Sequence, residues 1–96
     1  MKIAIIAKGN TRRRRELGLA VARLRGAALF AGVEVLETQH PGHAIDLARR
    51  ASTRADVIIS AGGDGTLNEL VNGCQQARQA DPAIRLPTVG VLALGS

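Results

Sequence analysis

Aromatic side chains are nearly absent from this chain of 96 residues, which has one phenylalanine, Phe30, and no tryptophan or tyrosine. Without aromatic rings, the chain lacks the stacking platforms on which many proteins bind single-stranded nucleic acid. Contact with duplex phosphates stays open, but we expect no nucleic-acid partner. The core must be built from alanine, valine, isoleucine and leucine, which is typical of a parallel sheet covered by helices.

Cysteine and long apolar segments are scarce as well. Cys74 is the only cysteine, so no intramolecular disulfide can form and a reducing cytosol is the simplest setting. We expect its thiol to be buried and inert. The apolar N-terminus, Met1–Ala7, is too short for a signal peptide, and no segment approaches the roughly 20 apolar residues of a membrane-spanning helix. We therefore expect a cytoplasmic protein whose membrane contact, where it occurs, is peripheral.

Basic residues outnumber acidic ones by thirteen to eight, which gives a formal net charge of +5. The excess suits an anionic partner, such as a nucleotide or an anionic membrane, but a solvated surface explains it equally well. Four of the arginines form one run, Arg12–Arg15, at the predicted start of a helix. Cations there oppose the helix macrodipole, so the run is either a solvated first turn or a contact for phosphates or lipid headgroups.

The hydrophobic pattern predicts four strands that alternate with three helices. Such alternation implies parallel strands joined by right-handed crossovers, and we predict the strand order 2-1-3-4. The 96 residues then make one domain, an open parallel sheet with helices on both faces, in a Rossmann-like α/β fold. The predicted elements are strand Lys2–Ala7, helix Arg14–Ala31, strand Val33–Thr38, helix Pro41–Ala51, strand Val57–Ala61, helix Leu67–Gln79 and strand Thr88–Leu94.

Several residues are assigned to the ends and faces of the predicted helices. Gly32 is expected to terminate the first helix as its C′ residue, and Pro41 to lie in the first turn of the second, where its missing N–H costs nothing. The third helix is expected to turn its apolar side inward, with Leu67, Leu70, Val71 and Cys74 on that side.

A glycine run joins the predicted third strand to the third helix: Gly62-Gly63-Asp64-Gly65-Thr66. Glycine lets backbone N–H groups approach a phosphate, and a helix N-terminus offers unpaired N–H groups with partial positive charge. A tight turn is the simpler alternative, but the strand-to-helix position favours a phosphate site. Asp64 would repel a phosphate, so it binds a hydroxyl, a loop N–H or a metal. Thr66 caps the helix or donates to the phosphate.

The run continues as Leu67-Asn68-Glu69-Leu70-Val71-Asn72-Gly73, and Gly62–Gly73 as a whole resembles the signature of the diacylglycerol kinase catalytic domain family. That family includes bacterial lipid kinases and the sphingosine and ceramide kinases. Thr38 followed by Gly42-His43-Ala44, and the stretch Pro87–Ser96, are similar to two further family elements. The resemblance implies transfer of the γ-phosphate of ATP, with Mg²⁺, to a lipid hydroxyl of the diacylglycerol or sphingosine type.

The resemblance also implies which residues contact the nucleotide: Thr38, Gly62, Gly63, Asp64, Gly65, Thr66, Leu67, Asn68, Glu69 and Ser96. It implies no catalytic residue in this chain and leaves the metal ligands unassigned. The family's β-rich second lobe, which carries the general base and much of the Mg²⁺ site, has no counterpart in these residues. We therefore expect a truncated, N-terminal ATP-binding domain that is inactive alone. Its open sheet edge should favour self-association.

Two other functions stay open at this point. An NAD kinase shares the Gly-Gly-Asp-Gly-Thr loop, although Asn68-Glu69 and Asn72-Gly73 favour the lipid kinases. A nucleotide-binding module without catalysis is the alternative of a different class. We expect His43 to serve the start of the second helix by hydrogen bonding or packing, rather than to act as a general base. His40 and His43 lack the acidic companions of a zinc site.

Overall fold

The computed structural model describes residues 1–9, 13–26 and 32–92. Its four strands form one parallel sheet in the order β2-β1-β3-β4, which confirms the predicted fold class and strand order. None of the helices among these residues is long and apolar enough to cross a membrane. The elements are β1 (Lys2–Lys8), α1 (Arg14–Gly26), β2 (Gly32–Thr38), α2 (His43–Ala51), β3 (Val57–Ala61), α3 (Asp64–Ala80) and β4 (Thr88–Val91).

The sheet is covered on both faces because its central strand, β1, is apolar at every inner position. Alternate side chains of a strand point to opposite faces, so β1 contributes to two cores. The core on the side of α2 and α3 contains Ala4, Ile6, Ala44, Ala48, Ala51, Ile58, Leu70 and Cys74. The core on the side of α1 contains Ile3, Ile5, Ala7, Leu17, Val21 and Ala61. The Cys74 thiol is buried as expected, and the Ser52 hydroxyl lies 3.4 Å from its sulfur.

The helices α2 and α3 approach each other closely at Gly73, in the middle of α3. A Cβ atom at this position would overlap the carbonyl oxygen of Ile45 and lie 2.8 Å from the Cβ of Ala48. A glycine inside a helix costs about 1 kcal/mol relative to alanine. The close approach of two helices offsets that cost here, because no other residue fits between them.

Replacing Gly73 by alanine is expected to lower the free energy of unfolding by about 1–2 kcal/mol, because overpacking outweighs the gain in helix propensity. Urea denaturation measures the change. The matched control is Gly18→Ala in α1, where an added Cβ meets no atom of the described residues within 4 Å. That variant should gain about 0.5–1 kcal/mol. A gain of stability in both variants would contradict the close packing at Gly73.

The third helix begins at Asp64, three residues before the predicted start at Leu67. Gly63 is extended, with φ −86° and ψ −169°, and its carbonyl oxygen already accepts the first helical bond, from the Leu67 N–H at 3.2 Å. The prediction assigned Gly65 to the loop, but glycine is tolerated in a first turn whose N–H groups have no helical partner. The phosphate-type loop is therefore shorter than predicted, and most of the glycine run is helical.

The fourth strand ends at Val91 rather than at Leu94, and Leu92 is already outside the ladder. Its partner β3 ends at Ala61, one residue beyond the last pair, Ser60 with Val91, and the Leu92 N–H still donates to the Ser60 carbonyl oxygen at 2.8 Å. Residues 93 and 94, and the predicted end of the first helix at 27–31, lie outside the described residues.

Two predicted helix ends are wrong. Gly32 is the first residue of β2, where it pairs with Lys2, and it does not adopt the positive φ of a C′ residue. Pro41 lies in a turn, and α2 begins two residues later, at His43. Gly42 between them has φ 83°, a left-handed conformation that favours glycine.

The inward face of α3 is narrower than predicted. Its buried residues are Leu70, Gly73, Cys74 and Ala77. Val71 was predicted to join them, but it is 38% exposed. Leu67 is only partly buried. The buried residues follow the i, i+3, i+4, i+7 spacing that starts at Leu70, and Val71 lies beside this stripe, outside it.

Candidate functional site

A cavity of about 670 Å³ opens at the carboxyl ends of β1 and β2, beside the N-terminus of α3. In open α/β sheets, ligands bind at this edge, where neighbouring strands send their connections to opposite faces. Here β1 continues into α1 on one face and β3 continues into α3 on the other. The cavity is lined by Lys8, Gly9, Arg14, Glu37, Thr38, Gln39, His40, Pro41, Ala44, Gly63, Gly65, Thr66 and Glu69.

The first turn of α3 forms one wall of the cavity. Gly63, Gly65 and Thr66 line it, and the N–H groups of a first helical turn have no partner inside their helix. The Thr66 side chain packs over Gly62, where an added Cβ would lie only 2.8 Å from the Thr66 Cβ. Gly63 and Gly65 line the cavity without a side chain, and an added Cβ at either position would meet no atom of the described residues within 4 Å. These two glycines keep the first turn accessible to a ligand.

The opposite wall is made where β1 and β2 end. The Gly9 N–H donates a hydrogen bond to the Thr38 hydroxyl oxygen at 3.3 Å. A Cβ at Gly9 would overlap the Thr38 carbonyl oxygen, so glycine is required for this contact. Because the Thr38 oxygen accepts from Gly9, its own hydrogen stays available to donate to an acceptor in the cavity.

Arg14, the first residue of α1, joins the ends of β1 and β2 through its side chain. Its guanidinium donates to both carboxylate oxygens of Glu37, at 3.0 and 3.3 Å, and to the Gly9 carbonyl oxygen at 2.8 Å. A bidentate arginine–carboxylate pair is directional as well as ionic. Since the two side chains are 60% and 35% exposed, their pairing contributes little to folding, but it fixes a positive and a negative group at the cavity rim.

His40 lines the cavity and stacks on His43, and the hydrogen bonds of the two rings assign their tautomers. The Gln39 N–H donates to His43 Nδ1 at 2.8 Å, so the neutral His43 ring carries its hydrogen on Nε2. His40 Nδ1 lies 2.9 Å from the Pro41 carbonyl oxygen, to which it must donate. The rings stack with centroids 4.6 Å apart. The expected role of His43, bonding at the start of α2, is confirmed.

The structure brings together half of the residues that the resemblance implied for the nucleotide site. Thr38, Gly63, Gly65, Thr66 and Glu69 line the cavity. Four of the others do not line it. Gly62 supports Thr66, Leu67 is partly buried, and Asp64 and Asn68 are exposed. Ser96 lies outside the described residues.

Sequence reasoning missed Lys8 and Glu37 as residues of the cavity, and it offered Arg14 as a phosphate contact only as one member of the arginine run. The structure separates the members of that run. Arg14 lines the cavity, Arg13 lies 3.6 Å from Glu16, and Arg12 lies outside the described residues. The nearness of Arg14 to Glu37 could have been predicted, because the strand order 2-1-3-4 places the end of strand two beside the start of the first helix.

The match to a family model decides what kind of domain carries this cavity. The model described as diacylglycerol kinase catalytic domain matches residues 3–96. The chain belongs to the diacylglycerol kinase catalytic domain family. The glycine run is the most specific motif of the resemblance, and it lies within the matched residues. Most of this run forms the first turn of α3.

Relatives in this family include a probable lipid kinase YegS-like protein of Chromohalobacter salexigens, 38% identical over 94 residues. The diacylglycerol kinase of Bacillus subtilis is 45% identical over 56 residues, which are 57% of this chain and 16% of that protein. Among solved structures, a diacylglycerol kinase from Bacillus anthracis superposes with a TM-score of 0.72 and 29% identity, covering 94% of this chain. The chain spans 28% of the first relative and 31% of the solved structure.

Proposed function

We propose that this chain is the ATP-binding part of a lipid kinase, which transfers the γ-phosphate of ATP to a lipid hydroxyl. The observation that carries the proposal is the first turn of α3, which lines a cavity at the carboxyl edge of a parallel sheet in a chain of this family. Unpaired N–H groups and the positive end of the helix macrodipole both favour an anion at that position.

The phosphates of ATP would lie along this first turn. Gly63 and Gly65 allow the close approach, because no Cβ occupies the cavity at either position. The Thr38 and Thr66 hydroxyls are neutral donors of the cavity, and Lys8 and Arg14 are its cationic side chains among the described residues. Phosphoryl transfer depends mostly on such positioning and charge stabilisation.

Mg²⁺ is the metal that the family resemblance implies. Within the described residues, no cluster of three or more His, Cys, Asp or Glu side chains could hold a metal ion alone. Mg²⁺ with a nucleotide needs only one or two carboxylates beside the phosphate oxygens. Glu69 fits that requirement, because its partly buried carboxylate lines the cavity and pairs with no basic side chain of the described residues. When bound there, the ion would neutralise charge on the phosphates.

The proposed function also requires a lipid acceptor and a membrane surface that supplies it. We place the general base and acceptor binding in residues of a whole lipid kinase beyond the part spanned by this chain. The chain alone then binds ATP without turning it over, as a cytoplasmic protein that meets its diacylglycerol- or sphingosine-type acceptor at a membrane surface. Self-association through the open edge of β4 remains an expectation.

Calorimetric titration of this chain with ATP, AMP and NAD, with Mg²⁺ present, tests the proposal. We expect ATP to bind and AMP to bind at least about tenfold more weakly, because the first turn of α3 recognises the outer phosphates. A kinase assay with diacylglycerol and sphingosine should show no turnover. Binding of NAD in preference to ATP would favour the NAD kinase alternative, and loss of discrimination between ATP and AMP would contradict the phosphate site.

A further inference from the structure

The two faces of the sheet carry different charges. Helix α1 has four arginines against one glutamate, Glu16, and a net charge of +3. Helices α2 and α3, on the opposite face, carry three arginines against three acidic residues, and their charges cancel. The positive excess of the chain is therefore concentrated on one side of the molecule. Such an asymmetry orients a protein on an anionic surface.

The four arginines of α1 have different surroundings. Arg14 pairs with Glu37, and Arg25 donates to the Val33 carbonyl oxygen at 3.3 Å, so both are turned toward β2. Arg15 and Arg23 form no ion pair with any carboxylate in the part of the chain that the structure describes. They are free to bind an external anion.

Between these two arginines lies an exposed leucine. Leu19 follows Arg15 by four residues and precedes Arg23 by four, so the three side chains form one stripe along the helix. Leu17 and Val21 are buried against the sheet, which turns the stripe toward solvent. Leu19 is 59% exposed, so much of its apolar surface is available to a partner.

We propose that this outer face of α1, the stripe Arg15–Leu19–Arg23, docks against an anionic lipid bilayer. Arginine side chains attract the anionic headgroups, and the leucine enters the boundary between headgroups and acyl chains. A bilayer is favoured over nucleic acid because phosphates alone offer Leu19 no apolar contact. The choice of a bilayer rests on the proposed lipid acceptor. Because α1 begins at the cavity, docking along this face brings the rim residue Arg14 near the membrane.

Vesicle co-sedimentation tests the docking face without ATP. The chain is incubated with vesicles of equal parts phosphatidylglycerol and phosphatidylcholine, and with vesicles of phosphatidylcholine alone. We expect binding to the anionic vesicles only, and weaker binding at high salt. Arg15→Glu/Arg23→Glu should weaken binding by at least about thirtyfold, and Leu19→Ser by about tenfold.

The matched control is Arg78→Glu/Arg85→Glu, which makes the same change in net charge at exposed positions away from α1. It should change binding by less than about threefold, since exposed charges beyond a Debye length are largely screened. Equal losses in the two double variants would overturn the proposal, and so would vesicle binding that Leu19→Ser leaves unchanged. Binding of duplex DNA that Leu19→Ser does not alter, without vesicle binding, would assign the face to nucleic acid instead. A failure of ATP binding in calorimetry would affect the proposed function alone.

Discussion

Gly65→Ala is expected to weaken ATP binding by about 10- to 100-fold while the protein becomes no less stable. The two effects have separate causes. Gly65 lines the cavity at the position proposed for the phosphates, where a side chain would hinder their close approach, yet an added Cβ meets no atom of the described residues within 4 Å. Its φ is not positive, so alanine is compatible with the backbone. Alanine in a helix then stabilises the fold by up to about 1 kcal/mol.

Calorimetry and urea denaturation measure the two quantities on the same sample. Gly18→Ala is the control, since it makes the same substitution in α1, away from the cavity. It should gain stability and keep full ATP affinity. If Gly65→Ala bound ATP as tightly as the unsubstituted chain, the phosphates would not lie along the first turn of α3. If it lost stability together with affinity, the glycine would serve the fold and not the ligand.

Opposite effects are expected from the two members of the Arg14–Glu37 pair. Arg14→Ala should weaken ATP binding by at least about tenfold, because it removes a cation from the cavity and leaves the Glu37 carboxylate without its partner. Glu37→Gln should strengthen binding by about threefold to tenfold, because it removes a negative charge and releases the guanidinium toward the phosphates. Both variants should change the free energy of unfolding by less than about 1 kcal/mol, since Arg14 is exposed and Glu37 is only partly buried.

The double variant Arg14→Ala/Glu37→Gln separates this account from a general disturbance of the wall. It should recover part of the affinity that Arg14→Ala loses, because the repelling carboxylate is gone. The effects should shrink at high salt. Arg78→Ala, at an exposed position of α3 outside the cavity, controls for the change in net charge. Weaker ATP binding in Glu37→Gln would show that the pair holds the wall in place rather than tuning its charge.

The layered fold was predictable because its signal is regular. Short apolar strands alternate with helices of period 3.6, and such alternation implies parallel strands joined by right-handed crossovers. The order β2-β1-β3-β4 is one of several that these rules allow. The buried thiol of Cys74 follows from the same periodicity. The start of α3 was not predictable from glycine content, because Gly65 in a first turn and Gly65 in a loop look the same in sequence. Val71 was misplaced because an apolar residue beside the buried stripe looks the same in sequence as one within it.

The candidate site was only half accessible to sequence reasoning. The contiguous glycine run is a local signal, and several of its residues do line the cavity. The Arg14–Glu37 pair joins residues 23 positions apart, and nothing local distinguishes Arg14 from its basic neighbours. Only the fold, by placing the start of α1 beside the end of β2, assigns Arg14 to the cavity and leaves Arg15 on the outer face. A run of like charges therefore divides between two surfaces.

The central claim is that ATP phosphates bind the backbone N–H groups at the start of α3. Its most direct test is a ¹⁵N–¹H NMR titration of this chain with ATP and Mg²⁺. The account predicts the largest shifts in the amide signals of Asp64, Gly65 and Thr66, with smaller changes at Gly9. Two results would contradict it. One is a set of shifts concentrated at the amino ends of the strands, around Arg85 and Thr88, and the other is the absence of shifts in the first turn of α3 at saturating ATP.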